Sequence, residues 1–311
     1  MLALALLAAT LSQTQPAASQ PEAAPARAQE VANPANTTDT SAPAWQHAQL
    51  RLRVEPSLWY MGPGGELKLP SPTLAGEGED LEIDELGFDS PELVPHIEAH
   101  IFAGPNWRFG VRGFTFSDDQ TTLMSRTGRI GDIGFDNTST MRSGLDYSTF
   151  EIEAAYGFEV LRGDESKEPL LINGRRRFVA RLEGIAGLRL IDIDWEVERI
   201  ASSSVFLGGS RAAVDETYIQ LLGGGRFAFA FNEEWGIDLT LMLGASPFGD
   251  ATSFSGDIIV GGTYEPHWAP NFGIQLGYRS AFFSLASGEG QDEFEYAGAH
   301  QGLMLGVVLK F

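Results

Sequence analysis

Along most of this chain, large apolar side chains recur at every second position, with charged side chains between them. Alternation of this kind places the two sets on opposite faces of a β-strand. The last ten residues show it plainly: Leu303, Leu305, Val307, Leu309 and Phe311 alternate with Gly302, Met304, Gly306, Val308 and Lys310. From Ala48, Leu50, Leu52, Val54, Leu58 and Tyr60 oppose Arg51, Arg53 and Glu55, and Pro56 on the apolar face predicts a bulge. Glu92 to Ala103 sets Leu93, Pro95, Ile97, Ala99 and Ile101 against His96, Glu98 and His100. Trp107 to Ser117 sets Phe109 and Val111 against Arg108 and Arg112, and Asp146 to Leu161 sets Phe150, Ile152, Tyr156 and Phe158 against Glu151 and Glu153. Arg177 to Ile193 opposes Leu182, Leu188 and Leu190 to Arg181, Glu183 and Arg189. Asp215 to Phe231 carries Arg226 on its polar side, Trp235 to Leu243 carries Asp238, and the strand from Phe272 carries Arg279. Asp257 to Glu265 is weakly patterned. The pattern predicts about ten antiparallel strands over residues 47–311, with eight or twelve as the other even counts.

A soluble sandwich would bury the apolar row and wet the charged row, whereas a membrane barrel does the reverse. Four features favour the barrel. Several predicted strands reach 15 or more residues, against roughly five or six for a common globular strand. Connections alternate, short at 104–106, 232–234 and 266–271 and long at 62–91, 118–145 and 194–214, with the linker after 161 as an exception. Aromatics gather at strand ends: Trp107, Phe158, Phe178, Phe231, Trp235, Trp268, Phe272 and Phe311 predict one girdle, and Tyr60, Tyr147, Tyr278, Phe282 and Tyr296 the other. The N-terminus reads as an export signal: Met1 to Leu11 is apolar but too short to span a bilayer as a helix, and cleavage is expected around Ala17 to Gln20. Residues 1–20 are thus a predicted signal peptide, and the Pro- and Ala-rich segment 21–46 a flexible linker.

Formal net charge is −21, which argues against nucleic acid as a partner, because phosphate binding needs a basic surface. The chain has no Cys, hence no disulfide framework or thiol chemistry. Among 21 basic residues only Lys68, Lys167 and Lys310 are Lys, a bias toward Arg, the cation best suited to enclosed bidentate pairing.

The final strand, Gly302 to Phe311, resembles the closing strand of bacterial outer-membrane β-barrels, the family to which the whole patterned region is similar. The resemblance implies an all-β, up-and-down antiparallel transmembrane β-barrel. It also implies contact with outer-membrane lipid, recognition of Phe311 by the barrel-assembly machinery, and both barrel termini in the periplasm. It sets no oligomeric state.

The inward-facing set would be Arg51, Arg53, Glu55, His96, Glu98, His100, Arg108, Arg112, Glu151, Glu153, Arg181, Glu183, Arg189, Arg226, Asp238 and Arg279. Enclosed opposite charges should pair. A polar plug is then the expected filling at this barrel size, with a narrow charged passage as the functional alternative. His96 and His100 are four strand residues apart, about 13 Å, so they do not chelate one ion together. A site joining Glu98, one His and a neighbouring strand stays open, and no cofactor or metal is assigned. Ten strands with long outer loops also resemble the omptin class of proteases, which use an Asp-His couple at the outer rim. His300 with Asp292, and Asp192, Asp194 and Asp215, would lie near such a rim, but no local motif of that class matches, so no catalytic role is carried over. A surface adhesion or ligand-binding barrel is the other alternative. The acidic loop Glu77 to Glu92 does not fit an EF-hand and reads as a solvated loop.

Overall fold

The computed structural model describes residues 51–72, 79–162, 178–205, 209–231, 234–246 and 251–311. The predicted signal peptide, the linker and the connection after residue 162 lie outside these. Ten long strands run up and down: β1 (Arg51–Lys68), β2 (Glu92–Ala103), β3 (Trp107–Leu123), β4 (Thr140–Arg162), β5 (Phe178–Ala201), β6 (Arg211–Phe231), β7 (Trp235–Ala245), β8 (Thr252–Tyr264), β9 (Phe272–Ser287) and β10 (Phe294–Lys310). Each pairs antiparallel with the next, and β10 returns to β1 from Arg53↔Lys310 to Lys68↔Glu295, which closes the barrel. Closure removes both sheet edges, so every strand has a partner on each side. Ten strands therefore stand as the pattern predicts.

The lower half of the wall, next to the short turns, has the expected polarity. Leu52, Leu58, Ile97, Phe109, Phe150, Leu188, Leu221, Leu241 and Leu305 face outward and are exposed. Arg108, Arg112, Glu151, Glu183, Arg189 and Arg279 face inward and are buried. A hydrocarbon surround accepts the first set and rejects the second. Trp107, Phe158, Phe231, Trp235, Trp268, Phe272 and Phe311 are exposed at the short-turn end, as a girdle requires.

The upper half exchanges its faces. On β5 the outward series Leu182, Leu188, Leu190 continues as Asp192, Asp194, Glu196 and Glu198, while the inward series Glu183, Arg189 continues as Ile191, Ile193, Trp195 and Val197. β3 does the same, with Ser117, Asp119 and Thr121 outside Phe114 and Phe116. Above the apolar belt the wall meets water, so polar side chains belong outside, and the enclosed volume becomes an ordinary hydrophobic core.

That core corrects three sequence expectations. Tyr147 and Tyr296, expected in the outer girdle, are enclosed, because they share strand parity with Glu151 and His300. The long connections fold inward as well as meeting solvent: Leu69, Leu81, Ile83, Leu86 and Phe88 after β1, and Met124, Ile130, Ile133 and Phe135 after β3, are all buried in one cluster with Trp59 and Trp195. A 3-10 turn, Ile83–Leu86, and a small hairpin, Gly128–Ile130 with Ile133–Phe135, carry these residues. Strands β3, β4 and β5 among others are also longer than predicted at their upper ends, where the alternation continues in opposite phase.

At the top, Asp136 accepts bonds from the Ser204 hydroxyl at 2.5 Å and the Thr138 hydroxyl at 2.7 Å, tying two connections together. These bonds, the Ser204 one foremost, hold its carboxyl well below the usual range.

Two outcomes follow for unfolding of the reconstituted barrel in urea. Trp195→Ala, which empties an enclosed site among Phe88 and Tyr296, should cost about 3–5 kcal/mol. Asp194 lies directly opposite both Asp146 and Asp215. Like charges so placed repel, so Asp194→Asn should stabilise by roughly 0.2–1 kcal/mol at neutral pH. A loss of stability in Asp194→Asn would contradict the solvent-facing assignment.

Candidate functional site

Register builds the enclosed site. Across six strands, Glu55, Glu98, Arg112, Glu151, Arg189 and Gln220 are successive Cα partners, so one row of alternating strand positions becomes one lateral row of polar groups. Cross-strand partners on one face lie within side-chain reach. Arg112 Nε donates to Glu151 Oε2 at 2.7 Å, and Arg189 Nε donates to Glu151 Oε1 at 3.0 Å. Arg189 also reaches Asp257 and Ser255 on β8, across the lumen. Arg108 bridges Glu153 at 2.5 Å and Glu183 at 3.0 Å.

Arg279 lies at the junction of the two halves. Its Nε donates to Asp257 Oδ1 at 2.8 Å, and its guanidinium carbon stands 4.9 Å from the Trp59 ring centre and 5.2 Å from that of Phe114. One cation thus faces carboxylate on one side and aromatic rings on the other, both favourable to its charge. Only 1% of Arg279 is exposed.

Toward the short-turn end, Arg53 bonds Glu55 at 2.7 Å and Glu265 at 3.2 Å, and Lys310 also pairs with Glu265. Arg181 bonds Glu183 at 2.8 Å and the backbone carbonyls of Pro105 and Asn106. Arg226 lies 3.5 Å from Asp238. Eight carboxylates (Glu55, Glu98, Glu151, Glu153, Glu183, Asp238, Asp257 and Glu265) therefore meet eight cations (Arg53, Arg108, Arg112, Arg181, Arg189, Arg226, Arg279 and Lys310). Among the described residues these sixteen groups balance in sign, which suits filling better than ion selection.

Of the residues expected in this set, Arg51 alone is exposed: its strand position is inward, but it sits at the mouth and stacks on Phe102 at 5.8 Å. His96, Glu98 and His100 all point inward, with Glu98 between the two rings. The sequence reading missed Asp257, Glu265, Lys310 and Ser255. Asp257 sits in the strand that appeared weakly patterned, yet Phe254, Ile258 and Val260 alternate with Ser255, Asp257 and Ile259 once the strand is started at Thr252.

The rim Asp-His arrangement does not form around His300. That ring is fully buried, with Tyr147 and Phe283 ring centres 4.8 Å away. Asp192, Asp194 and Asp215 occupy the opposite, outward face of the wall.

Glu151 holds Arg112 and Arg189 in a buried interior, and removal of one partner strands the others. Glu151→Gln should therefore cost about 3–5 kcal/mol in urea unfolding. Glu198→Gln, which breaks the exposed Arg142 pair at 2.5 Å, should cost about 1 kcal/mol or less. Equal costs would mean that the interior is wet.

No protein-family model matches the chain, and no curated protein matches it. Among solved structures, it is similar to the outer membrane protease OmpT from Escherichia coli, at 12% identity and TM-score 0.43 over 84% of this chain and 97% of that one. It is also similar to Neisserial surface protein A, at 14% identity and TM-score 0.29 over 84% and 97%. Ail, the attachment invasion locus protein of Yersinia pestis, aligns at 13% identity and TM-score 0.29 over 84% and 99%. These likenesses concern architecture. With its closed wall, its apolar outward belt and its enclosed charges, the chain is an up-and-down antiparallel ten-stranded β-barrel with the polarity of a membrane-spanning one.

Proposed function

We propose that the protein is an integral outer-membrane barrel whose lumen is sealed, so that it serves as a membrane-spanning structural body and not as a solute passage. The observation that carries this reading is the double filling of the interior. Glu151, Asp257 and Arg279 are 1% exposed in the lower half, and Trp59, Trp195 and Tyr296 are 0% exposed in the upper half. A cavity of about 220 Å³ opens at the short-turn end beside Arg53, Arg181, Arg226, Asp238 and Glu265. None of its lining residues belongs to the upper core, so it is a vestibule that stops short of that core.

Orientation follows the same reading. The two ends of the described chain meet beside the short turns, where Phe311 N donates to Leu52 O at 2.9 Å and Leu52 N donates to Phe311 O at 3.2 Å. Short turns and barrel ends belong to the periplasmic side in this architecture. The exposed Phe311 ring is then free for the assembly machinery, and outer-membrane lipid covers the belt.

Planar-bilayer recording tests the seal. Purified, refolded protein should give no unitary current across salts and voltages, and reproducible steps that scale with salt would refute it. Phe311→Ala should lower the fraction of protein that assembles as heat-modifiable barrel in cells; full assembly of that variant would remove the role given to the terminal ring.

A further inference from the structure

The row Glu55, Glu98, Arg112, Glu151 contains one anomaly: its first two members are both acids, and they are direct cross-strand partners. Like charges so placed repel. Arg53 relieves Glu55 at 2.7 Å. Glu98 has no such relief. Its nearest nitrogens are His96 Nε2 at 3.6 Å, His100 Nε2 at 3.8 Å and Arg112 Nη1 at 3.9 Å, all beyond hydrogen-bond range. Each of the other seven carboxylates has a nitrogen at 3.5 Å or closer.

Three donor atoms converge here. One carboxylate oxygen of Glu55, one of Glu98 and one ring nitrogen of His100 lie within 4.8 Å of one another. A tetrahedral ion with bonds near 2.0 Å sets its ligands about 3.3 Å apart, so a modest contraction of these side chains closes the site. Space for the His100 ring is made by Gly110, its partner on β3: a Cβ there would stand 2.7 Å from His100 Cδ2 and 3.0 Å from Glu153 Cγ.

A second observation points to the same carboxylate. His96 is 3% exposed, and its Nε2 has no hydrogen-bond partner. The Ser57 hydroxyl lies 3.0 Å from Nδ1. With that hydroxyl donating, the proton sits on Nε2 and aims at Glu98 Oε1. A ring so placed stands behind the carboxylate and would bond it once Glu98 turns to a ligand, which makes His96 a positioning residue.

We propose that Glu55, Glu98 and His100 bind a divalent transition metal of the zinc class from the periplasmic vestibule. Mixed imidazole and carboxylate donors without sulfur suit this class, and three protein ligands leave a fourth position for water. Access comes past Arg53, which lines the vestibule and bonds Glu55. When the metal takes Glu55, Arg53 keeps its second partner, Glu265. The site stands or falls independently of whether the barrel conducts.

The test is zinc titration of untagged, full-length mature protein, folded in detergent and stripped with EDTA, against a chromophoric chelator. Wild type should take up one zinc per chain. Glu98→Gln and His100→Ala should each weaken uptake tenfold or more. His267→Ala, at the exposed pair with Glu234, should leave it unchanged. Arg53→Gln should tighten uptake several-fold, because it removes the cation that competes for Glu55, a gain that misfolding does not mimic. Heat-modifiable gel mobility verifies each barrel. Absence of saturable uptake by wild type, or wild-type affinity in both Glu98→Gln and His100→Ala, overturns the site. An unchanged affinity in Arg53→Gln overturns the assignment of Glu55.

Discussion

An enclosed carboxylate must find a cation, and the rest of this barrel is arranged around that constraint. Glu151 and Asp257 face one another across the lumen from β4 and β8, and Arg189 and Arg279 each contact both. Each ion is costly to bury alone, and no member is removable without stranding its neighbours. Arg serves here better than Lys because its planar fork meets two acceptors at once. The network therefore fixes relative strand positions across the diameter, a task that wall hydrogen bonds between neighbours cannot perform.

Above Arg279 the enclosed space changes character. The wall emerges from its apolar belt, its outer surface turns acidic, and Trp59, Phe283, Trp195 and Tyr296 fill the inside together with residues from two connections. One chain thus makes two inverted environments with a single continuous strand architecture. Arg279 joins them, since a guanidinium tolerates both a carboxylate and an aromatic face.

The barrel and its lower half were legible in the sequence because period-two alternation, strand length and terminal aromatics all pointed one way. β2 is recovered residue for residue, Glu92 to Ala103. The upper half was not legible for a physical reason. Past Leu190 the alternation persists with its meaning reversed, and Asp194 to Glu198 reads as the start of an acidic loop unless Ile191, Ile193, Trp195 and Val197 are followed as the other face. Buried loop residues such as Ile83 and Phe88 were masked by the acids around them. The convergence of Glu55 with Glu98 and His100 depends on inter-strand register, which a single strand's pattern does not carry. The open possibility of Glu98 with one His and a neighbouring strand came closest.

The exchange of faces is most directly measured by single-cysteine scanning of residues 188–197, in a chain that has no native cysteine. Reconstituted variants would be probed with a water-soluble maleimide and with a lipid-borne quencher of an attached fluorophore. Positions 188 and 190 should be quenched from lipid, 192, 194 and 196 should react from water, and 189, 191, 193, 195 and 197 should be protected from both. Rapid aqueous labelling at 191, 193 and 195 would mean an open, wet lumen and would contradict the account.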